Sequence, residues 1–142
     1  MPKLPFRQEK PLAPLFSPLE QAVLDRIFEG KHPVLAALRK QMENSIVSSR
    51  ELSGTGFFTH FKVEPRVSPI PSEIKNIQFG DVTAEITGLQ HGAGFVLFVK
   101  NGYLDVLEGY TYGEDWPKEI KNFTLTCDEP NRKKLIDYLT EK

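Results

Sequence analysis

The stretch Gly94–Pro117, GFVLFVKNGYLDVLEGYTYGEDWP, constrains this chain most, because its turn chemistry dictates two paired strands. Asn101-Gly102 suits a type I′ turn, in which both central residues need positive φ, and asparagine and glycine tolerate it best. Phe95, Val96, Leu97, Phe98 and Val99 form an unbroken apolar run before the turn. Such a run predicts a strand covered on both faces and central in its sheet. After the turn, Tyr103-Leu104-Asp105-Val106 alternates, Leu107-Glu108 breaks the pattern and Gly109 follows. That predicts a bulge or strand end between Leu107 and Gly109. A loop carrying Glu108, Tyr110, Tyr112, Glu114, Asp115 and Trp116 comes next.

The rest of the chain supplies partners for that hairpin. Ser17-Pro18-Leu19-Glu20 is a capping box with proline at the first helical position. Ala22, Val23, Ile27 and Phe28 follow at helical spacing, with Leu19 and Leu24 widening the stripe, and Gly30 closes the helix. A second helix begins at Pro33 with Val34, Leu35, Leu38 and Met42 inward, and Lys31-His32 is the short connection of a helical hairpin. Ile46–Leu52 and Phe57–Val63 flank Ser53-Gly54-Thr55-Gly56 as a second strand hairpin. Ile77 and Phe79 begin a further strand, in which Val82, Ala84 and Ile86 face inward and Asp81, Thr83, Glu85 and Thr87 face water. Phe123, Leu125 and Cys127 mark a last strand, and Asp128 caps a terminal helix with Leu135, Ile136 and Leu139 on its apolar stripe. The expected fold class is α+β: an N-terminal helical hairpin, a mostly antiparallel sheet of about six strands and a C-terminal helix. Residues 1–16, with Pro2, Pro5, Pro11 and Pro14, read as a proline-rich arm, and residues 17–142 as one domain. PKLP and PLAP fit the P-x-x-P pattern of a polyproline-module ligand; the alternative is an arm that packs on the domain or frays.

Composition excludes several function classes. The 142 residues are 39% hydrophobic and 26% charged, with a formal net charge of −1, so no basic field favours nucleic acid or an anionic membrane. Cys127 is the only cysteine, which rules out an intrachain disulfide and fits a reducing compartment. No run approaches transmembrane length and the N-terminus has no signal-peptide pattern, so the expected location is cytoplasmic.

Catalytic and metal chemistry is mostly not found. His32, His60 and His91 have no metal-ligand spacing with one another or with Cys127, and no metal or cofactor is expected. His60 and His91 could converge across strands with Glu85 or Asp81. Gly54-Thr55-Gly56 and Gly92-Ala93-Gly94 lack the third glycine and helix of a dinucleotide loop, and read as turns. Cys127 faces inward on its strand and reads as core. Asn122-Phe123-Thr124 matches a glycosylation acceptor, but within a cytoplasmic strand the match has no meaning. Paired acids beside aromatic rings, such as Asp105 with Glu108 or Glu114 with Asp115, could serve a sugar-cleaving site or form a solvated surface.

Glu108, Tyr110, Tyr112, Glu114, Asp115 and Trp116 fit a partner-binding patch, since tyrosine and tryptophan give rigid contact area and acids complement a basic partner. The alternative is that the three rings fold back over the sheet. Arg50–Phe58, RELSGTGFF, together with Leu107–Pro117, LEGYTYGEDWP, resembles a group of small bacterial proteins, some of which resemble immunity proteins that neutralise toxins. In these a Gly-x-Gly-Phe-Phe hairpin precedes a Phe-Val-x-Asn-Gly-Tyr hairpin and an LEGY-type loop, a likeness that here spans residues 45–117. The resemblance implies a bacterial cytoplasmic protein without enzymatic activity, and it carries over no catalytic residue. The leading expectation is therefore a non-enzymatic domain, of immunity type where the resemblance extends that far, that presents the loop from Glu108 to Trp116 to a protein partner. The alternatives are a small hydrolase using loop carboxylates with His60 or His91, and a homodimer built on the apolar strands.

Overall fold

A computed structural model describes residues 15–141; most of the proline-rich arm lies outside them. Helix α1 spans Pro18–Ile27 and starts on the expected capping box: the Ser17 hydroxyl accepts from the Glu20 amide and the Glu20 carboxylate accepts from the Ser17 amide. Helix α2 spans Pro33–Glu43, and its N-cap is His32, whose Nδ1 accepts from the Val34 amide at 3.1 Å. This histidine holds a helix end rather than merely spanning a connection. Gly30, at φ 121°, turns the chain between the helices, and Arg39 donates to the Phe28 and Gly30 carbonyls left free at the end of α1.

The strands are β1 (Ser45–Leu52), β2 (Gly56–Val63), β3 (Ile77–Ile86), β4 (Ala93–Lys100), β5 (Tyr103–Thr111) and β6 (Phe123–Cys127), followed by helix α3 (Glu129–Thr140). They form a six-stranded antiparallel sheet in the order β1-β2-β5-β4-β3-β6. The β4–β5 hairpin is at its centre, with Asn101 at φ 55° and Gly102 at φ 86°, as a type I′ turn requires. All three helices pack on one face of the sheet, where Phe79, Phe95, Leu97 and Leu107 join Val23, Ile27, Phe28, Leu35 and Leu38 in one core. No helix among the described residues is long and apolar enough to cross a membrane.

The register corrects three expectations. Strand β4 is central, but only its inner face is covered: Phe95, Leu97 and Val99 are buried, whereas Val96 and Phe98 are half-buried on a face that no described helix covers. The break in β5 lies at Asp105, not between Leu107 and Gly109. Val106 pairs with Phe98 and Leu104 with Val99, so Asp105 is an extra residue and both Leu104 and Leu107 turn inward. Glu108 and Tyr110 are therefore strand residues. In β3 a second irregularity falls between Phe79 and Val82, and it turns Asp81 away from water into the core, where it is 5% exposed.

Asp81 goes inward because a cation meets it there. Arg132 of α3 donates Nε at 2.5 Å and Nη2 at 3.0 Å to its carboxylate, and Nη1 at 2.9 Å to the Ile27 carbonyl at the end of α1. The guanidinium also lies 5.6 Å from the centre of the Phe79 ring. In α2, Gln41 is fully buried; its Nε2 donates to the Gly102 and Ser68 carbonyls and its Oε1 accepts from the Leu104 amide. Removing one partner of a buried pair strands the other. Arg132→Met is therefore expected to cost about 3–5 kcal/mol of stability in urea titration. The Asp81→Leu/Arg132→Met double variant, which removes both charges, is expected to lose less than Arg132→Met alone.

Candidate functional site

Because β5 runs without a break from Val106 to Thr111, alternate side chains take opposite faces. Glu108 and Tyr110 point to the uncovered face, and Tyr112, one step beyond the strand, follows them. Across the ladder, Glu108 stands between Phe58 of β2 and Val96 of β4, and the next row holds His60, Val106 and Phe98. Phe58, Val96, Phe98, Val106 and Tyr110 are half-buried there by one another.

Two close approaches lock this arrangement. Tyr110 lies across Gly94 of β4, where a Cβ would come within 2.4 Å of the hydroxyl oxygen. On the other face Phe57 lies across Gly109, where a Cβ would come within 2.2 Å of the ring. The glycines are needed as gaps for aromatic rings. Tyr110 meets Tyr112 edge to face with centroids 5.6 Å apart. Burial, the Tyr112 hydroxyl and the Glu108 charge together push the Tyr110 phenol above its ordinary pKa, so it stays a neutral donor.

The loop beyond β5 sends its remaining residues elsewhere. Trp116 sits against the core, its ring 5.0 Å from that of Phe57 at 72°, with its amide donating to the Gly54 carbonyl at 2.8 Å. It is on the opposite side of the sheet from Tyr110 and Tyr112. Glu114 accepts from the amides of Gln90 and His91 and so ties the loop to the β3–β4 turn. Those two amides, followed by the nearby His91 charge, hold the Glu114 carboxyl below its usual pKa. Thr111 donates its hydroxyl to the Glu114 carbonyl. Asp115 is exposed at the loop surface. The structure thus groups Glu108, Tyr110 and Tyr112 and separates them from Glu114, Asp115 and Trp116.

The histidines do not converge. His60 of β2 pairs with Glu51 of β1 at 3.1 Å on the uncovered face. His91 lies in the turn before β4, about seven residues along the strand direction from the row holding His60, or roughly 20 Å. Among the described residues no group of three or more His, Cys, Asp or Glu is placed to hold a metal ion. Cys127 is half-buried, and burial, then the Asp81 charge, push its thiol above the ordinary pKa. That keeps it protonated and poorly nucleophilic.

One polar cluster was not anticipated from the sequence beyond its capping role. Glu20, 3% exposed, accepts from Nε and Nη2 of Arg50 and from the Thr59 hydroxyl as well as from Ser17. Burial alone would raise its pKa; the bonds from Arg50, Thr59 and Ser17, with the Arg50 charge, outweigh it and leave the carboxyl below its ordinary 4.5. Its full complement of donors makes it an anchor of α1 on β1 and β2. The capping box was legible; the partners, far along the chain, carried no local signal.

Comparison with protein-family models, with curated proteins and with solved structures returns no match.

Two outcomes are expected from this geometry. Trp116→Ala should lose about 2–3 kcal/mol in urea titration, because it opens a gap against Phe57, while Tyr112→Ala, at a 54% exposed position, should stay within about 0.5 kcal/mol of wild type. The depressed pKa of Glu20 gives stability that is present above about 4.5 and is lost as pH falls through the folded-state value. Glu20→Gln should therefore be less stable at neutral pH but flatter in Tm than wild type from about pH 5 to 3.

Proposed function

We propose that this protein is a non-enzymatic binding module that offers the uncovered face of its sheet to a protein partner. The observation that supports this most is the joined pair Tyr110 and Tyr112 beside Glu108, on a face carrying half-buried Phe58, Val96 and Phe98 and covered by no described helix. Apolar and aromatic surface concentrated in one patch is the usual mark of recognition. Glu108 has no ion pair among the described residues, and Glu85 stands on the same face toward Tyr112. The nearest formal lysine charges of that face, Lys62 and Lys100, lie toward the opposite strand ends. The complementary partner has an apolar centre and a lysine or arginine that meets Glu108. An immunity-type role, such as some of the proteins it resembles suggest, fits this reading, since an inhibitor of a toxin must cover a surface of another protein. Glu114 and Trp116 serve by holding the loop that carries Tyr112.

The test is affinity capture followed by titration of the purified captured protein. Glu108→Lys and Tyr112→Ala are both expected to fold as wild type and to weaken binding about tenfold or more each, with wild-type affinity falling as salt rises. Binding that ignores both substitutions would assign recognition to another surface.

A further inference from the structure

A second surface lies on the helix side of the sheet, where α1 begins. An apolar groove of about 850 Å3 stays open there between Leu19, Leu52, Phe57, Trp116, Ile120 and Phe123. That volume is within the range of binding clefts, about 300–1,000 Å3. Glu20, Arg50, Lys118, Glu119 and Lys121 also line it, but the Glu20 carboxylate is saturated by Arg50, Thr59 and Ser17, and the exposed Lys118, Glu119 and Lys121 keep their charges in water. An occupant therefore needs apolar surface more than charge. Leu52, 80% exposed, is the wall residue with the most to gain from being covered.

The described chain begins on the rim of this groove. Arg50 Nη2 donates to the Leu15 carbonyl at 3.1 Å, and Ser17 and Pro18 themselves line the groove. Preceding Leu15 is MPKLPFRQEKPLAP, residues 1–14, in which Leu4, Phe6 and Leu12 alternate with Pro2, Pro5, Pro11 and Pro14. Proline has no N–H, so a sequence of this kind brings apolar side chains with few amide donors to strand in an apolar site. Aromatic-lined grooves take such sequences. Extended at about 3.1 Å per residue, Pro14 back to Leu4 spans roughly 30 Å, enough to cross the groove. A segment tethered at the rim meets it at an effective concentration on the order of millimolar, so weak intrinsic affinity suffices.

We infer that this groove is the docking site of the chain's own residues 1–14, with Phe6 and Leu12 covering Leu52 and Trp116. The site is independent of the uncovered sheet face, and neither reading depends on the other.

Trp116 is the only tryptophan in the chain and lines the groove, so its fluorescence reports on the site. In the full chain, Phe6→Ser/Leu12→Ser is expected to red-shift Trp116 emission and raise its quenching by acrylamide, with far-UV circular dichroism unchanged. A synthetic peptide of residues 1–14 should reverse the shift, and the same peptide with both serines should not. Lys3→Gln/Lys10→Gln should leave emission as in wild type. On the groove side, Leu52→Ser alters an exposed position and should speed tryptic cleavage after Arg7, which gives a second reading should the arm variant misfold. Unchanged emission in a folded Phe6→Ser/Leu12→Ser chain would overturn the inference, as would unchanged cleavage in Leu52→Ser. A wild-type emission that shifts with protein concentration alongside dimer formation would also overturn it, since a second copy would then be the occupant.

Discussion

A guanidinium taken out of water must be matched where it stands, and the buried Arg132 organises much of this fold. Its donors reach the Asp81 carboxylate in β3 and the Ile27 carbonyl at the end of α1, so one side chain of α3 fixes a strand and another helix. Gln41 does the same for α2 by closing on the turn region of the β4–β5 hairpin, and Glu20 does so for α1 through Arg50 and Thr59. Apolar burial supplies the drive for helices to cover a sheet, but it is non-directional. These polar contacts add direction, because each is satisfied in one docking position and leaves buried groups unpaired in others. Two of the sheet's irregularities sit where anchors attach. Asp81 belongs to the break in β3, and Leu104, whose amide goes to Gln41, adjoins the bulge at Asp105.

The residues that carry the sequence resemblance have a packing explanation. Gly56 pairs with Tyr110, Phe57 with Gly109 and Phe58 with Glu108, so GFF and LEGY are one cross-strand unit. Phe57 uses the space over Gly109 on the covered face, and Tyr110 uses the space over Gly94 on the other. Such interlocking fixes register as well as filling space, since a one-residue slip would set rings against side chains. The motif therefore speaks first to how the hairpins dock. Which ring each face keeps follows from that docking.

What was legible in the sequence was what depends on neighbours. The Ser17 and Asp128 caps, the Asn101-Gly102 turn, the apolar stripes of α1 and α2 and the strand order of elements along the chain all rest on contacts within a few residues. The errors fall where a distant partner decides. Alternation placed Asp81 in water, but Arg132, 51 residues away, draws it into the core. The unbroken run Phe95–Val99 suggests cover on both faces, yet periodicity cannot say whether a second layer exists, and among the described residues Val96 and Phe98 are sheltered by their own neighbours in the sheet. The cluster Glu108 to Trp116 read as one patch because its members are adjacent in sequence. Strand alternation and the return of the chain at Gly113 divide it, leaving Tyr110 and Tyr112 on one face and Trp116 on the other.

That division bears on how the uncovered face can work. A recognition surface loses affinity to whatever ordering its residues undergo on binding. Here Tyr110 is a strand residue paired to both β2 and β4, and its ring rests on Gly94. Tyr112 is held against Tyr110 by a loop fastened at both ends of its turn: Thr111 by its amide to the Thr55 carbonyl, Glu114 to the β3–β4 turn, and Trp116 to Gly54 and Phe57. Residues on the covered side and in the loop are thus the ones that hold the two tyrosines in place. Among the described residues the helices, and with them most of the buried apolar side chains, lie on one side of the sheet. The other side presents aromatic rings and a Glu108 carboxylate with no ion pair among the described residues, in an already ordered frame, which is what the proposed recognition would need for a modest contact area to yield specific binding.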